Sequence, residues 1–152
     1  MTERKIGAKD WVVVCDGRKA LILENEGDDV FPNLRMKEMH EQENPRTNQQ
    51  GTDRPGKVHE SANSSRSAME ETDWHDQAER EFCAQMAARL DKAVQQQEAV
   101  KLIMVAAPRA LGMIREKYTT ALESAIAEEI PKDYVNLPIY DIEKLLLPSK
   151  AS

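Results

Sequence analysis

Hydrophobic and polar positions divide the chain into two ordered regions on either side of a polar gap. Trp11-Val12-Val13-Val14-Cys15 is a β-branched, apolar run that reads as a buried strand. Asp16-Gly17 follows, a dipeptide favouring the positive backbone dihedrals of a tight two-residue hairpin turn, and Arg18 to Glu24 returns as a second strand. After a turn cluster at Asn25 to Asp29, Phe31 to His40 reads as a third, more polar strand with Leu34 and Met36 on one face. Its inward register breaks near Glu38-Met39, where a bulge or the strand end is expected.

Residues 42–73 have no hydrophobic rhythm. Their only aliphatic or sulfur-containing side chains are Val58, Ala62, Ala68 and Met69, too few to bury the segment. Loops beyond about 12–15 residues are rare in compact domains and usually functional or disordered.

Order resumes at Asp73, an N-cap candidate, with a helix to about Gln97. Trp74, Ala78, Phe82, Met86, Leu90 and Val94 recur at every fourth position, with Cys83 and Ala87 beside them, as one apolar stripe. Lys101 to Ala107 holds Leu102-Ile103-Met104-Val105, short and apolar, which reads as a central strand parallel to a neighbour. Pro108 suits the first turn of a helix over Arg109 to Tyr118, with Gly112 inside it allowing close packing on a strand. Residues 119–131 fit two patterns: Leu122, Ala125 and Ile126 suit a helix, while Ile126, Glu128 and Ile130 alternate like a strand. Pro138 opens a last helix, Ile139 to Leu147, with Ile142, Leu145 and Leu146 facing inward. The order β-β-β-loop-α-β-α-(β)-α predicts one α/β domain over residues 11–147, with tails at 1–10 and 148–152.

A chain of 152 residues is long enough for one domain with a real core. Its net charge of −6 opposes general affinity for nucleic acid, but leaves room for a local basic patch. Cys15 and Cys83 lie in apolar surroundings without a CxxC pattern and read as buried thiols suited to a reducing cytoplasm. Met1 to Asp10 has no apolar signal core, and no run approaches the roughly 18 apolar residues of a membrane span, so a cytoplasmic protein is expected.

The chemistry-bearing candidates begin with Asp53-Arg54-Pro55-Gly56-Lys57. Pro-Gly makes a turn, Arg54 and Lys57 flank it, and Arg46, His59 and Arg66 are near in sequence. Two cations on a turn can grip phosphate from RNA or a nucleotide, or an acidic partner surface. The step Ala106-Ala107-Pro108-Arg109 puts a helix N-terminus beyond a strand's carboxyl end, with Arg109 and Arg115 adding positive charge, but without a glycine-rich cradle. His75 and Glu79 are four apart, with Asp76 beside them, and no third metal ligand matches, so no metal and no cofactor is expected. Asp16 is accounted for by the hairpin. Neither cysteine nor any loop serine has an identifiable base partner, so no catalytic residue is assigned.

These segments together resemble the bacterial host-attachment protein family. The matching pieces are Trp11 to Gly17 with Ala20 and Glu24, the Asp53–Lys57 motif, Phe82, Val105-Ala106-Ala107-Pro108, Leu111-Gly112-x-x-Arg115 and Lys132-Asp133, spanning most of residues 11–147. Lys57 stands where the family pattern has arginine, which keeps the charge and loses a bidentate fork. The family is similar to the central domain of eukaryotic and archaeal peptide-chain release factors. The resemblance implies a ribonuclease-H-like fold with about five strands in a mixed sheet, and makes the 125–130 segment a strand. Release factors carry Gly-Gly-Gln in the loop between a strand and the long helix; here the loop holds Gln49-Gln50-Gly51 instead. The expected function is therefore a non-catalytic adaptor that binds the ribosome, RNA or a protein partner. The alternatives are a hydrolase of peptidyl- or aminoacyl-tRNA esters, with Gln49 or Gln50 positioning water, and a protein acting in attachment to a host cell.

Overall fold

The computed structural model describes residues 5–42 and 64–147, with residues 64–73 described as helical backbone only. Its elements are β1 (Trp11–Cys15), β2 (Lys19–Asn25), β3 (Leu34–Glu41), α1 (Ser64–Gln95), β4 (Leu102–Ala106), α2 (Pro108–Arg115), α3 (Thr120–Ala125), β5 (Ile126–Ile130) and α4 (Ile139–Leu146). They form a single α/β domain around a five-stranded mixed sheet in the order β3-β2-β1-β4-β5. β1 pairs antiparallel with β2 and parallel with β4, and β4 pairs parallel with β5.

The central strands are apolar throughout because both faces are covered. Trp11, Val13, Cys15, Leu102, Met104 and Ala106 face one cluster, completed by Phe82, Cys83, Met86, Ala87, Leu90 and Ala93 of α1 and by residues of α2 and α3. Val12, Val14, Ile103 and Val105 face the other, completed by Ile142 and Leu146 of α4. Ile6 is buried in that second cluster, so the packed chain begins ahead of Trp11. It is held by buried Asn25, whose amide donates to the carbonyls of Ile6 and Gly7.

Several local expectations give way. α1 starts at Ser64 rather than Asp73, because helical hydrogen bonding is local and neither Gly nor Pro interrupts residues 64–95, whereas the apolar stripe begins only at Trp74. The helix ends with Gln97 at a positive φ of 61°, where Glu98 N donates to Ala93 O and Gln97 N to Val94 O, the paired bonds of a Schellman cap. The third strand begins at Leu34, not Phe31, since the Asp28 carboxylate folds residues 28–31 into a turn by accepting from Val30 N and Phe31 N. Phe31 is left 77% exposed.

The register shift of β3 falls between the pairs Leu23↔Met36 and Ile22↔Glu38, so Lys37 is the extra residue, one position before the expected break. That insertion turns Glu38 toward the α1 face, where Arg89 binds it at 3.0 Å. Leu145 is 47% exposed and does not face inward, because the buried positions of α4 are Ile142 and Leu146, one helical turn apart. Gly112 sits on the outer face of α2, where an added Cβ would meet nothing within 4 Å, so it makes no close strand contact. Residues 119–131 adopt both patterns in succession. Thr119 caps α3 by accepting from Leu122 N at 3.0 Å, and β5 follows directly.

Candidate functional site

The carboxyl ends of β1 and β4 lie side by side, Cys15 paired with Ala106, and two connections leave there. One is the β1–β2 turn. Neither Asp16 nor Gly17 has the expected positive φ. Instead the Asp16 carboxylate closes the turn, accepting from Arg18 N at 2.7 Å and Lys19 N at 2.9 Å. The other is the entry to α2, with Pro108 in its first turn and Arg109 next. α1 crosses this end and supplies Asp76 and Glu79.

The side chains form a continuous ion-pair chain. Arg109 donates to Glu79 Oε1 at 3.2 Å and also binds Asp76. Arg80 joins Asp76 at 3.1 Å to Glu116 at 3.4 Å, and Arg18 reaches Glu79 Oε2 at 3.8 Å. Three guanidinium groups thus meet three carboxylates. Hydrogen bonds from Arg80 and then Arg109 hold the Asp76 carboxyl below its ordinary range, and Glu79, then Asp76, raises Arg109. Glu79, considered with His75 as a metal ligand, is engaged in this ion-pair chain.

Beneath the network lie the two thiols. Burial pushes Cys15 up to about 12 and Cys83 up to about 11. Cys83 Sγ donates to Ala110 O at 3.9 Å. Both remain protonated near neutrality, the reverse of an activated nucleophile.

Arg115, at the other end of α2, serves a different cluster. Its Nε and Nη2 bind Glu129 Oε1 at 2.8 and 2.6 Å, and Tyr118 donates to Glu129 Oε2 at 2.8 Å. Arg115 holds Glu129 low, and burial, followed by the bond to Glu129, raises Tyr118. The structure therefore does not bring Arg109 and Arg115 together.

The polar segment is anchored beside the first cluster. At its start, Gln42 N donates to Arg18 O at 2.7 Å and Gln42 Nε2 to Gly17 O at 3.2 Å. Gln42, Trp74 and Phe82 line a pocket of about 280 Å³ between the end of β3 and α1. Arg46, Gln49, Gln50, Arg54, Pro55, Gly56, Lys57 and His59 lie outside the described residues. Sequence reading passed over Arg18, Arg80 and Glu129. Arg18 pairs with Glu79 61 residues on and Glu129 with Arg115 14 residues back, separations that no local spacing rule detects. Arg80, by contrast, pairs with Asp76 at the helical i,i+4 spacing, a signal the sequence did carry. No helix among the described residues is long and apolar enough to cross a membrane.

Residues 9–146 match the family model described as bacterial archaeo-eukaryotic release factor family 12. No curated protein matches the chain.

Proposed function

The chain belongs to bacterial archaeo-eukaryotic release factor family 12, and on that premise we propose that it is a non-catalytic binding protein of translation, contacting ribosomal RNA through the polar segment. The observation that carries the reading is where that segment is attached. It leaves the sheet at Gln42, against Gly17 and Arg18, and the chain returns in α1, at the carboxyl ends of two parallel strands. Ligands of open α/β sheets gather at that end. The cations described there, Arg18, Arg80 and Arg109, are matched by carboxylates, so the phosphate-binding charge falls to Arg54 and Lys57, with Arg46 and His59 assisting.

The test is co-sedimentation of the full chain with ribosomes across a salt series. Arg54→Ala with Lys57→Ala is expected to weaken binding and lower the salt slope by about two. An unchanged affinity and slope would overturn the reading. Incubation with peptidyl-tRNA and ribosomes is expected to give no turnover above background. Turnover abolished by Gln49→Ala or Gln50→Ala would replace the binding role with an enzymatic one.

A further inference from the structure

α4 and the turn between β2 and β3 border a groove of about 610 Å³. Val30, Phe31 and Pro32 of the turn form one wall, and Tyr140, Glu143, Lys144 and Leu147 form the other. Among the described residues the exposed aromatic side chains are Phe31, at 77%, and Tyr140, at 66%, and both stand here beside Val30, at 55%. Single exposed apolar residues need no explanation, but three along one groove mark an interaction surface. The charged part of the wall is held in place. Glu143 Oε2 accepts from Leu34 N at 3.3 Å, and the carboxylate has a second oxygen to offer. Lys144 Nζ stands 5.2 Å from the centre of the Tyr140 ring.

The order of residues on α4 is self-complementary. Tyr140, Glu143, Lys144 and Leu147 fall at i, i+3, i+4 and i+7, along one side of the helix. A second α4 laid antiparallel, with the two-fold axis between residues 143 and 144, sets Glu143 against the partner's Lys144 and Tyr140 against the partner's Leu147. Both contacts then occur twice, as an isologous interface requires. A partner surface of one charge sign would instead meet a like charge at Glu143 or at Lys144. The area is also of the right order. Aromatic side chains bury about 150–250 Å² each, so Phe31 and Tyr140 of two copies supply roughly 600 Å² at their observed exposures. That is about half of the roughly 1,200 Å² of a stable interface, and Val30, Pro32 and the helix surfaces add to it. We infer that this face of α4 and the β2–β3 turn is a homodimer interface, in which two α4 helices pack antiparallel and exchange Glu143–Lys144 ion pairs. β3 runs from this groove, at Leu34, to the start of the polar segment after Glu41. The interface therefore lies at the opposite end of β3 and is independent of the RNA-binding reading.

The test is sedimentation velocity of the full chain over a concentration series, from about 1 to about 500 μM, where a monomer–dimer equilibrium is expected. Tyr140→Asp is expected to weaken self-association at least about tenfold. Lys144→Glu and Glu143→Lys are each expected to weaken it about tenfold, because like charges then meet at both crossings of the two-fold axis. An equimolar mixture of those two charge variants is expected to recover the parent affinity, since opposite charges meet again at both crossings of the mixed dimer. A chain that stays monomeric throughout the series would overturn the proposal. So would a dimer whose affinity is unchanged in Tyr140→Asp and Lys144→Glu, or a mixture no tighter than either charge variant alone, with each variant confirmed folded by its thermal transition. Binding of the monomeric chain to phosphatidylglycerol vesicles, lost in Phe31→Asp, would assign the face to a lipid surface and overturn it equally.

Discussion

A Cβ built on Gly17 would stand 2.9 Å from both Cγ and Cδ of Glu79 and 3.1 Å from its Cβ. The β1–β2 turn and α1 therefore meet in the space of one missing side chain, and that contact aims Glu79 at Arg109 and Arg18. Glycine is needed here for room rather than for a positive φ. Gly17→Ala is expected to displace α1 or swing Glu79 from its partners, at a cost of about 1–2 kcal/mol. The urea midpoint measures it, and an unchanged midpoint would show that the turn yields freely.

The ion-pair chain around Glu79 should contribute little by itself. Arg109's side chain is 62% exposed, and water and salt screen so exposed a pair. A double-mutant cycle of Arg109→Ala and Glu79→Ala is expected to give near-additive shifts in the urea midpoint, with any residual coupling lost in high salt. A larger, salt-independent coupling would mean the pair is structurally essential.

The chain has glycine where a helix favours a side chain, and a side chain where a helix end favours glycine. Gly112 lies in open space within α2, so Gly112→Ala is expected to stabilise the fold by about 0.5–1 kcal/mol. Gln97 holds the left-handed position of the α1 cap, so Gln97→Gly is expected to stabilise by a similar amount, about 0.5–1 kcal/mol. Thermal unfolding of the two single variants and their combination checks both, and the effects should add because the sites share no partner.

Acid should release the contact between β3 and α1. Hydrogen bonds from Arg89, with His40 assisting, lower Glu38 from 4.5 to about 2. A lowered folded-state pKa gives stability that is present above the unfolded value and lost as pH falls through the folded one. The stability difference between the parent and Glu38→Gln is therefore expected to be constant above pH 4.5 and to shrink toward pH 2. Denaturant titrations at stepped pH follow it, and a difference unchanged across that window would remove Glu38 from the acid response.

The thiols should be silent in the native state. With Cys15 raised to about 12 and Cys83 to about 11 by burial, labelling at pH 8 is expected to be at least about 100-fold slower than for a free thiol, and complete on unfolding. Rapid labelling of either one in the native protein would reveal an opening of the α1–sheet interface.

The strands were readable in the sequence where apolar residues ran unbroken. Trp11–Cys15 and Leu102–Ala106 are buried on both faces, so no polar residue interrupts the pattern. The half-exposed elements were harder. β3 alternates only until Lys37, and its true start was hidden by Phe31, an exposed aromatic that reads as core. Residues 119–131 gave two answers because both were true in turn: a six-residue helix runs directly into a five-residue strand. Of the site, the cations Arg109 and Arg115 and the carboxylates Asp76 and Glu79 were visible, but the pairing of Arg109 with those two, and Glu129 as the partner of Arg115, were not. The Asp53–Lys57 motif lies outside the described residues.

By itself the sequence determined the element order outside residues 119–131, the two central strands and the apolar stripe of α1, because these follow from periodicities of two and 3.6 within a few residues. Tertiary structure alone decided the rest. It placed Glu79 over Gly17, turned Glu38 onto Arg89 through one inserted residue, and set Phe31 and Tyr140 along one groove. Such relations join positions remote in the chain, and the free energy that selects them belongs to packing and charge between elements rather than to any local pattern.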